Sequence, residues 1–467
     1  MGRSAYFDER VQKQADDTIK QVVGDFTNGT CNVVGERFAG VVMAPAGAGK
    51  SFLGTTAVAR AVESREGQLS TVAVGTPTND QAYSFVDTLS DRFRELDVAF
   101  VHSQDHRLPE HVATRPNVHD IEAKDAAHHT VVVGTLDKLG DAYARDALPE
   151  FSYLVVDEAF QADGGKYFKV AGLSDRHLLI GDYGQLEPFN TMQDPGRWRG
   201  LPEDPTQTSV AVLRRNHSSC AEYKLPITRR LPPSALPVIQ AFYPKHDFSS
   251  WTLPDARAAR LAPAKARGGL AALDAALESM TNRGWAWLRL PSTPVLTADP
   301  LTIDVITSLV RRLKVRSLER RDEKTRGQWR HVSEDDVAVV VSHNDQKGYL
   351  RVALAAAGLA DVRVDTANKL QGLQFDFVIA WHPLAGLPEG DAFHLEPGRL
   401  CVMLTRHRHG CIVVGRRSDP DLVDELPPAG ETWIGHDSDP VLDGWMAHSL
   451  VFASLGNFAV DLGSDDR

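Results

Sequence analysis

The sequence predicts an α/β protein with parallel sheets, and three observations carry the prediction. Three continuous apolar runs, Val41-Val-Met43, Leu154-Val-Val156 and Val337-Ala-Val-Val-Val341, have the character of strands buried on both faces. The first and third lead through polar turns into helical stretches, Ser51–Arg60 and the Ala/Leu-rich segment after Asn344-Asp-Gln346. Between the first run and its helix stands a glycine-rich turn, Ala44-Pro-Ala-Gly-Ala-Gly-Lys50-Ser51.

Residues 1 to about 37 read as helical and then irregular, and the first core follows from about 38 to 224. In the turn, Gly47 and Gly49 permit a tight bend. The amides of Ala46, Gly47, Ala48 and Gly49 and the start of the helix can face a β-phosphate. Lys50 can bridge β- and γ-phosphates, and Ser51 can ligate Mg²⁺. The usual pattern opens on glycine, and Ala44 is a mild departure. The Leu154–Val156 strand delivers Asp157 and Glu158 to its carboxyl end. There Asp157 is suited to hold Mg²⁺ through water, and Glu158 to orient and deprotonate an attacking water.

Composition sets the scale. A chain of 467 residues with 42% hydrophobic content can bury two or three cores, which excludes a small binding module. The net charge of −11 argues against a surface that attracts polyanions everywhere and leaves room for a local basic cleft. Cys31, Cys220, Cys401 and Cys411 lack metal-ligand spacing and read as reduced. No leader and no window near 18 uninterrupted apolar residues is seen, so a soluble, cytoplasmic monomer without membrane contact is expected. Neither an internal repeat nor a heptad run is present.

Further segments, in order, resemble a superfamily 1 helicase, particularly the nonsense-mediated-decay branch, with some likeness to RecD-type enzymes. Gly75-Thr76-Pro77-Thr78-Asn79-Asp-Gln81 is similar to motif Ia, and Val131–Thr135 to motif Ic. The resemblance implies that Thr76, Pro77, Thr78, Asn79 and Thr135 touch a nucleic-acid strand. Asp157-Glu158-Ala-Phe-Gln161 matches the Asp-Glu-Ala-x-Gln form of motif II, and Gly181-Asp182-Tyr-Gly-Gln185-Leu-Glu-Pro188 the form of motif III. Gln185 is implied to couple γ-phosphate state to domain movement.

Leu225–Pro233, with the following Phe242-Tyr243, resembles motif IV, placing Arg230 on the γ-phosphate arginine. Arg229 stands where the family has an adenine-stacking aromatic, and its guanidinium could still stack. Val364–Asp376 resembles motif V and assigns Thr366 to the strand and Gly372 to the nucleotide; Gln374 replaces a usual glutamate. Arg399–Arg408 resembles motif VI, with Arg406 as the second γ-phosphate arginine and His407 in place of the usual alanine. Gln12 or Gln14 is available to read an adenine edge, as a glutamine upstream of the phosphate loop does in relatives.

The resemblance implies two tandem RecA-like domains with parallel sheets, small insertions and a nucleotide cleft between them. The expected layout is an N-terminal helical segment 1–37, domain 1 over 38–224, domain 2 over 225–417 with a basic connector, and a C-terminal extension 418–467. Residues 92–130 read as a small insertion or a side strand and helix. Arginines of 253–282 and 311–330 either contact phosphates or form a charged face packed on the core. The extension, with Trp433, Trp445 and Leu450–Leu455, docks on a core or meets a protein partner. The expected activity is an ATP- and Mg²⁺-dependent helicase or translocase on single-stranded DNA or RNA. The alternative is a nucleotide-switched regulatory or scaffold ATPase that unwinds nothing.

Overall fold

The computed structural model describes residues 6–29, 37–63, 70–103, 107–186, 188, 201, 204, 206–263, 270–294, 298–391, 393–424 and 444–463. Cys31, Glu187 and Trp433 lie outside the described residues.

Eight strands build the first sheet: β1 (Phe38–Met43), β2 (Val72–Thr76), β3 (Val98–Val101), β4 (Val118–Ile121), β5 (Val131–Thr135), β6 (Tyr153–Asp157), β7 (Arg176–Gly181) and β8 (Ala221–Lys224). Their order is β4-β3-β5-β2-β6-β7-β1-β8, and every pairing is parallel. The apolar runs are continuous because both faces are covered. Phe38 and Val42 of β1 meet one helical layer, while Ala39, Val41 and Met43 meet the other.

Helix α1 (Glu9–Asn28) lies in the first layer. Asp8 caps it by accepting from the amides of Arg10 and Val11. Ala15, Ile19, Val22, Val23 and Phe26 form its buried stripe, each large side chain contributing about 1.5–3 kcal/mol. The Arg176 guanidinium closes the other end on the carbonyls of Asp25, Phe26 and Gly29, at 3.2, 2.6 and 2.7 Å. Residues 92–130 supply β3 and β4, so this stretch extends the sheet at its edge.

The second sheet holds β9 (Trp285–Leu290), β10 (Val337–Val341), β11 (Arg363–Thr366), β12 (Phe375–Trp381), β13 (His407–Arg416) and β14 (Ala459–Asp461). The order is β11-β10-β12-β13-β9-β14, again all parallel. Two covered parallel sheets make tandem RecA-like domains with a cleft between them. The C-terminal residues complete the second lobe. Helix Gly444–Leu455 buries Ala447, His448, Val451, Phe452 and Leu455, and β14 pairs with β9 from Trp287 to Arg289.

Ion pairs hold several arginines of the basic connector. Arg312 and Arg316 both hold Asp274, Arg316 also holds Glu278, and Arg260 holds Glu319. Arg257 is inserted between the lobes' connecting segments and grips Glu323 through two nitrogens, at 2.8 and 3.1 Å. No helix among the described residues is long and apolar enough to cross a membrane.

Candidate active site

The carboxyl ends of parallel strands open onto a crevice where ligands gather. Here β1 leads into the turn and helix α2 (Lys50–Glu63) leads out of it. Gly47 and Gly49 adopt φ of 75° and 97°, the left-handed region where side chains strain. Space demands glycine as well. A Cβ on Gly47 would collide with Arg230, and one on Gly49 would lie 2.6 Å from the Arg229 guanidinium. The segment after β8 therefore lies directly on the turn. The Arg229 amide donates to the Gly47 carbonyl at 2.8 Å, its Nη1 to the Ala48 carbonyl at 2.9 Å, and the Thr228 hydroxyl to the Ala46 carbonyl at 2.6 Å.

Strand β6 brings Asp157 and Glu158 to the same crevice. Lys50 Nζ donates to Glu158 Oε2 at 2.7 Å. Burial works against the lysine's charge, yet Glu158, Asp182 and Asp157 outweigh it and hold the ammonium above its ordinary range. Burial, then the charge of Glu158, lifts the Asp157 carboxyl to about 7. Asp157 Oδ1 is buried without a hydrogen-bond partner. Such an orphaned carboxylate oxygen is chemically suited to a hard divalent cation, and Ser51, the second residue of α2, offers a hydroxyl of the same hard-oxygen type. Glu158 sits at φ 53°, an uncommon conformation for a non-glycine residue.

Arg230 and Arg406 converge on this centre from the other side. Arg230 Nη1 donates to the Thr405 carbonyl at 3.2 Å. Arg406 is fully buried and donates to the Val402 carbonyl at 3.1 Å, the Thr405 hydroxyl at 2.9 Å and the Leu373 carbonyl at 3.4 Å. Neither has a carboxylate within ion-pairing distance among the described residues. Burial, then Arg406, pushes the Arg230 guanidinium down to about 9. Burial also lowers Arg406, while both arginines feel Asp182 and Glu158. A half-buried and a buried cation side by side, with no acid partner among the described residues, are an anion site in waiting.

Gln185 is buried, donates to Asp182, and accepts from Gln371 Nε2 of the second lobe at 3.3 Å. Gly372 follows in a left-handed turn at φ 81°, one residue before the Leu373 carbonyl that holds Arg406. Thr76 and Thr135 are register partners at the ends of β2 and β5. Thr76 is buried with its hydroxyl on the Thr78 carbonyl, so its side chain shapes the loop and does not face outward. Thr78 is exposed and caps α3 (Asn79–Arg92), with Pro77 and Asn79 beside it partly exposed. Thr366 ends β11 and is nearly buried.

Several residues gave no signal of their role. Tyr243 Oη donates to Asp182 at 2.9 Å, accepts from the Ala46 amide at 3.1 Å, and lies 3.5 Å from Cys401 Sγ on the helix that carries Arg406's segment. Its place after the motif IV segment gave only a resemblance. Arg257 reaches the carbonyls of Arg229 at 3.0 Å, of Arg230, and of Arg408 at 3.4 Å. Glu323, which grips Arg257, also accepts from Arg408 at 2.6 Å, so one brace ties both arginine segments together. On the outer side of Arg229, Trp251 lies 5.6 Å and Phe52 5.8 Å from the guanidinium, and Trp251 stacks on Phe7 at 3.7 Å. Of the two candidate glutamines, Gln12 is half-buried and donates to Asp16 at 2.6 Å, an acid whose charge reaches Arg229, while Gln14 is exposed.

A DEAD/DEAH box helicase family model matches residues 11–169, and an AAA domain model matches residues 301–418. No curated protein matches the chain. Among solved structures, the arterivirus nonstructural protein 10 helicase in complex with DNA is similar at 12% identity and TM-score 0.43, covering 87% of this chain and 65% of that one. Dbp5 of S. cerevisiae bound to RNA and ADP BeF3 is similar at 12% identity and TM-score 0.40, covering 98% and 95%. The Pyrococcus furiosus Hef helicase domain is similar at 12% identity and TM-score 0.37, covering 88% and 97%. The chain thus spans under two thirds of the length of the arterivirus helicase chain. The phosphate loop and the paired acids at the end of β6 are the parts needed to hold and hydrolyse a nucleoside triphosphate, and the two family models match one stretch in each half of the chain.

Proposed function

We propose that the chain is an ATP-driven translocase or helicase of superfamily 1, resembling the nonsense-mediated-decay branch, acting on single-stranded DNA or RNA. One observation carries the reading. Two arginines without acid partners among the described residues, Arg230 and Arg406, meet the Lys50–Glu158 centre from the opposite side. Closing the lobes on a triphosphate sets their positive charge against the γ-phosphoryl group as negative charge develops there.

In this mechanism the amides of Ala46 to Gly49 cradle the phosphates, and Lys50 leaves Glu158 to bridge the β- and γ-oxygens. Ser51 and Asp157 would hold Mg²⁺, which would supply neutralisation of phosphate charge. Glu158, released from the lysine, orients a water and takes its proton as the water oxygen attacks the γ-phosphorus and the bond to the β–γ bridging oxygen breaks. Gln185, bonded to Gln371, passes the loss of the γ-phosphate to the second lobe. Gly372 sets the turn behind Arg406, and Arg229 covers the base side of the site. The strand lies across the carboxyl edges near Pro77, Thr78, Asn79, Thr135 and Thr366, with Thr76 shaping the first of these loops.

A second reading is a nucleotide-switched scaffold, favoured by the net charge of −11 and by connector arginines already satisfied by acids. A panel of single- and double-stranded DNA and RNA with either overhang, scored for ATPase stimulation and strand displacement, decides between them. Stimulation by a single strand supports the translocase. Hydrolysis indifferent to every strand sinks it in favour of the scaffold.

A further inference from the structure

We propose that Gln81 and Gln161 transmit occupancy of a nucleic-acid strand at the Thr78 loop to the carboxylate of Glu158, and so set how far a strand accelerates hydrolysis. The inference rests on the translocase reading and adds two positioning residues to it.

A single directed chain of hydrogen bonds runs from the surface to the reaction centre. The Thr78 hydroxyl and amide both donate to Gln81 Oε1, at 3.0 and 3.1 Å. Gln81 Nε2 donates to Gln161 Oε1 at 3.0 Å. Gln161 Nε2 then donates to Glu158 Oε2 at 3.4 Å, the same oxygen that accepts from Lys50. A primary amide has one accepting and one donating end, so each link fixes the orientation of the next.

The two ends of this chain have competing partners. Thr78 is exposed at the head of α3, where the hydroxyl and amide that hold Gln81 are the donors a phosphate oxygen would take. At the other end, a bound triphosphate draws Lys50 away, leaving Gln161 as the hydrogen-bond donor to Glu158 among the described side chains. A phosphate on Thr78 therefore releases Gln81 and shifts Gln161. Glu158, on a backbone at φ 53°, is repositioned against the water it must deprotonate.

The test uses the full chain with Gln81→Leu, Gln161→Leu, the double variant and Gln81→Glu. The last keeps an acceptor for the Thr78 cap and ends the donation to Gln161, so a purely structural role of the cap would leave it unmoved. ATP turnover is measured with and without a single strand, and strand affinity by fluorescence anisotropy. The ratio of strand-stimulated to strand-free kcat is expected to fall about tenfold in each single variant, and no further in the double, with strand Kd within about threefold. An undiminished ratio, or effects that multiply in the double variant, overturns the relay alone. A wild type that no strand stimulates overturns the translocase reading and the relay with it.

Discussion

Arg230→Met should make the empty protein more stable and the enzyme nearly inert. Burial, then Arg406, displaces the guanidinium from its ordinary range down to about 9. At neutral pH the side chain is charged in the folded and unfolded states, both below their respective pKa values, so the full penalty falls on the folded form. Each tenfold of that displacement corresponds to about 1.4 kcal/mol; allowing for the partial exposure of Arg230, the penalty is roughly 2–4 kcal/mol. Removing the charge while keeping comparable bulk also removes the hydrogen bond to the Thr405 carbonyl, worth about 1 kcal/mol. The net gain is roughly 1–3 kcal/mol, or about 2–4 °C in Tm per kcal/mol for a lobe of this size. Differential scanning calorimetry without nucleotide reads this directly. A non-hydrolysable ATP analogue at a hundred times its Kd should stabilise the wild type by about 2.7 kcal/mol and the variant by less. kcat should drop about 10³-fold, the loss typical of a missing arginine on the transferring phosphoryl group. A variant that unfolds earlier than wild type when empty, and that keeps turnover within tenfold, would show that Arg230 is a structural side chain and refute the reasoning.

Arg257→Met breaks the brace beneath both arginine segments, leaving the Arg229 and Arg230 carbonyls unpaired; kcat should fall about a hundredfold with little change in nucleotide KM, as steady-state kinetics will tell. For pH, His448 is buried with neither ring nitrogen hydrogen-bonded among the described residues, and burial holds its pKa at about 3. Its folded pKa lies below the unfolded 6.5, so its neutral state is matched to the fold above 6.5, and stability is lost as pH falls from there toward 3. Asp157 and Asp419, both lifted to about 7, work in the opposite sense over the same range, so the readout is the difference between wild type and His448→Phe. That difference in urea unfolding free energy should move in the variant's favour by about 1.4 kcal/mol per pH unit below 6.5.

What the sequence disclosed was local chemistry. The phosphate turn was legible because Gly47, Gly49, Lys50 and Ser51 must follow one another to do their work, and Asp157-Glu158 because an apolar run points them at a strand end. Arg230 and Arg406 were legible only through resemblance, since nothing in an isolated arginine says that it lacks an acid. Tyr243 stayed hidden because its role lies in contacts made 61 and 197 residues away. The connector's arginines left two readings open, because charge is written in the sequence but its partner is not: Arg312 finds Asp274 across 38 positions. The short β3, β4 and β14 take their strand character from the neighbours they pair with, as β14 does from Trp287 to Arg289.

Glu158→Gln tests the reaction centre most directly. The amide preserves shape and hydrogen bonding but cannot take a proton, so nucleotide binding by fluorescent-analogue titration should remain within a few fold. Single-turnover hydrolysis should fall by about 10²–10⁴-fold. Hydrolysis at the wild-type rate in purified Glu158→Gln protein would contradict the reaction centre described here.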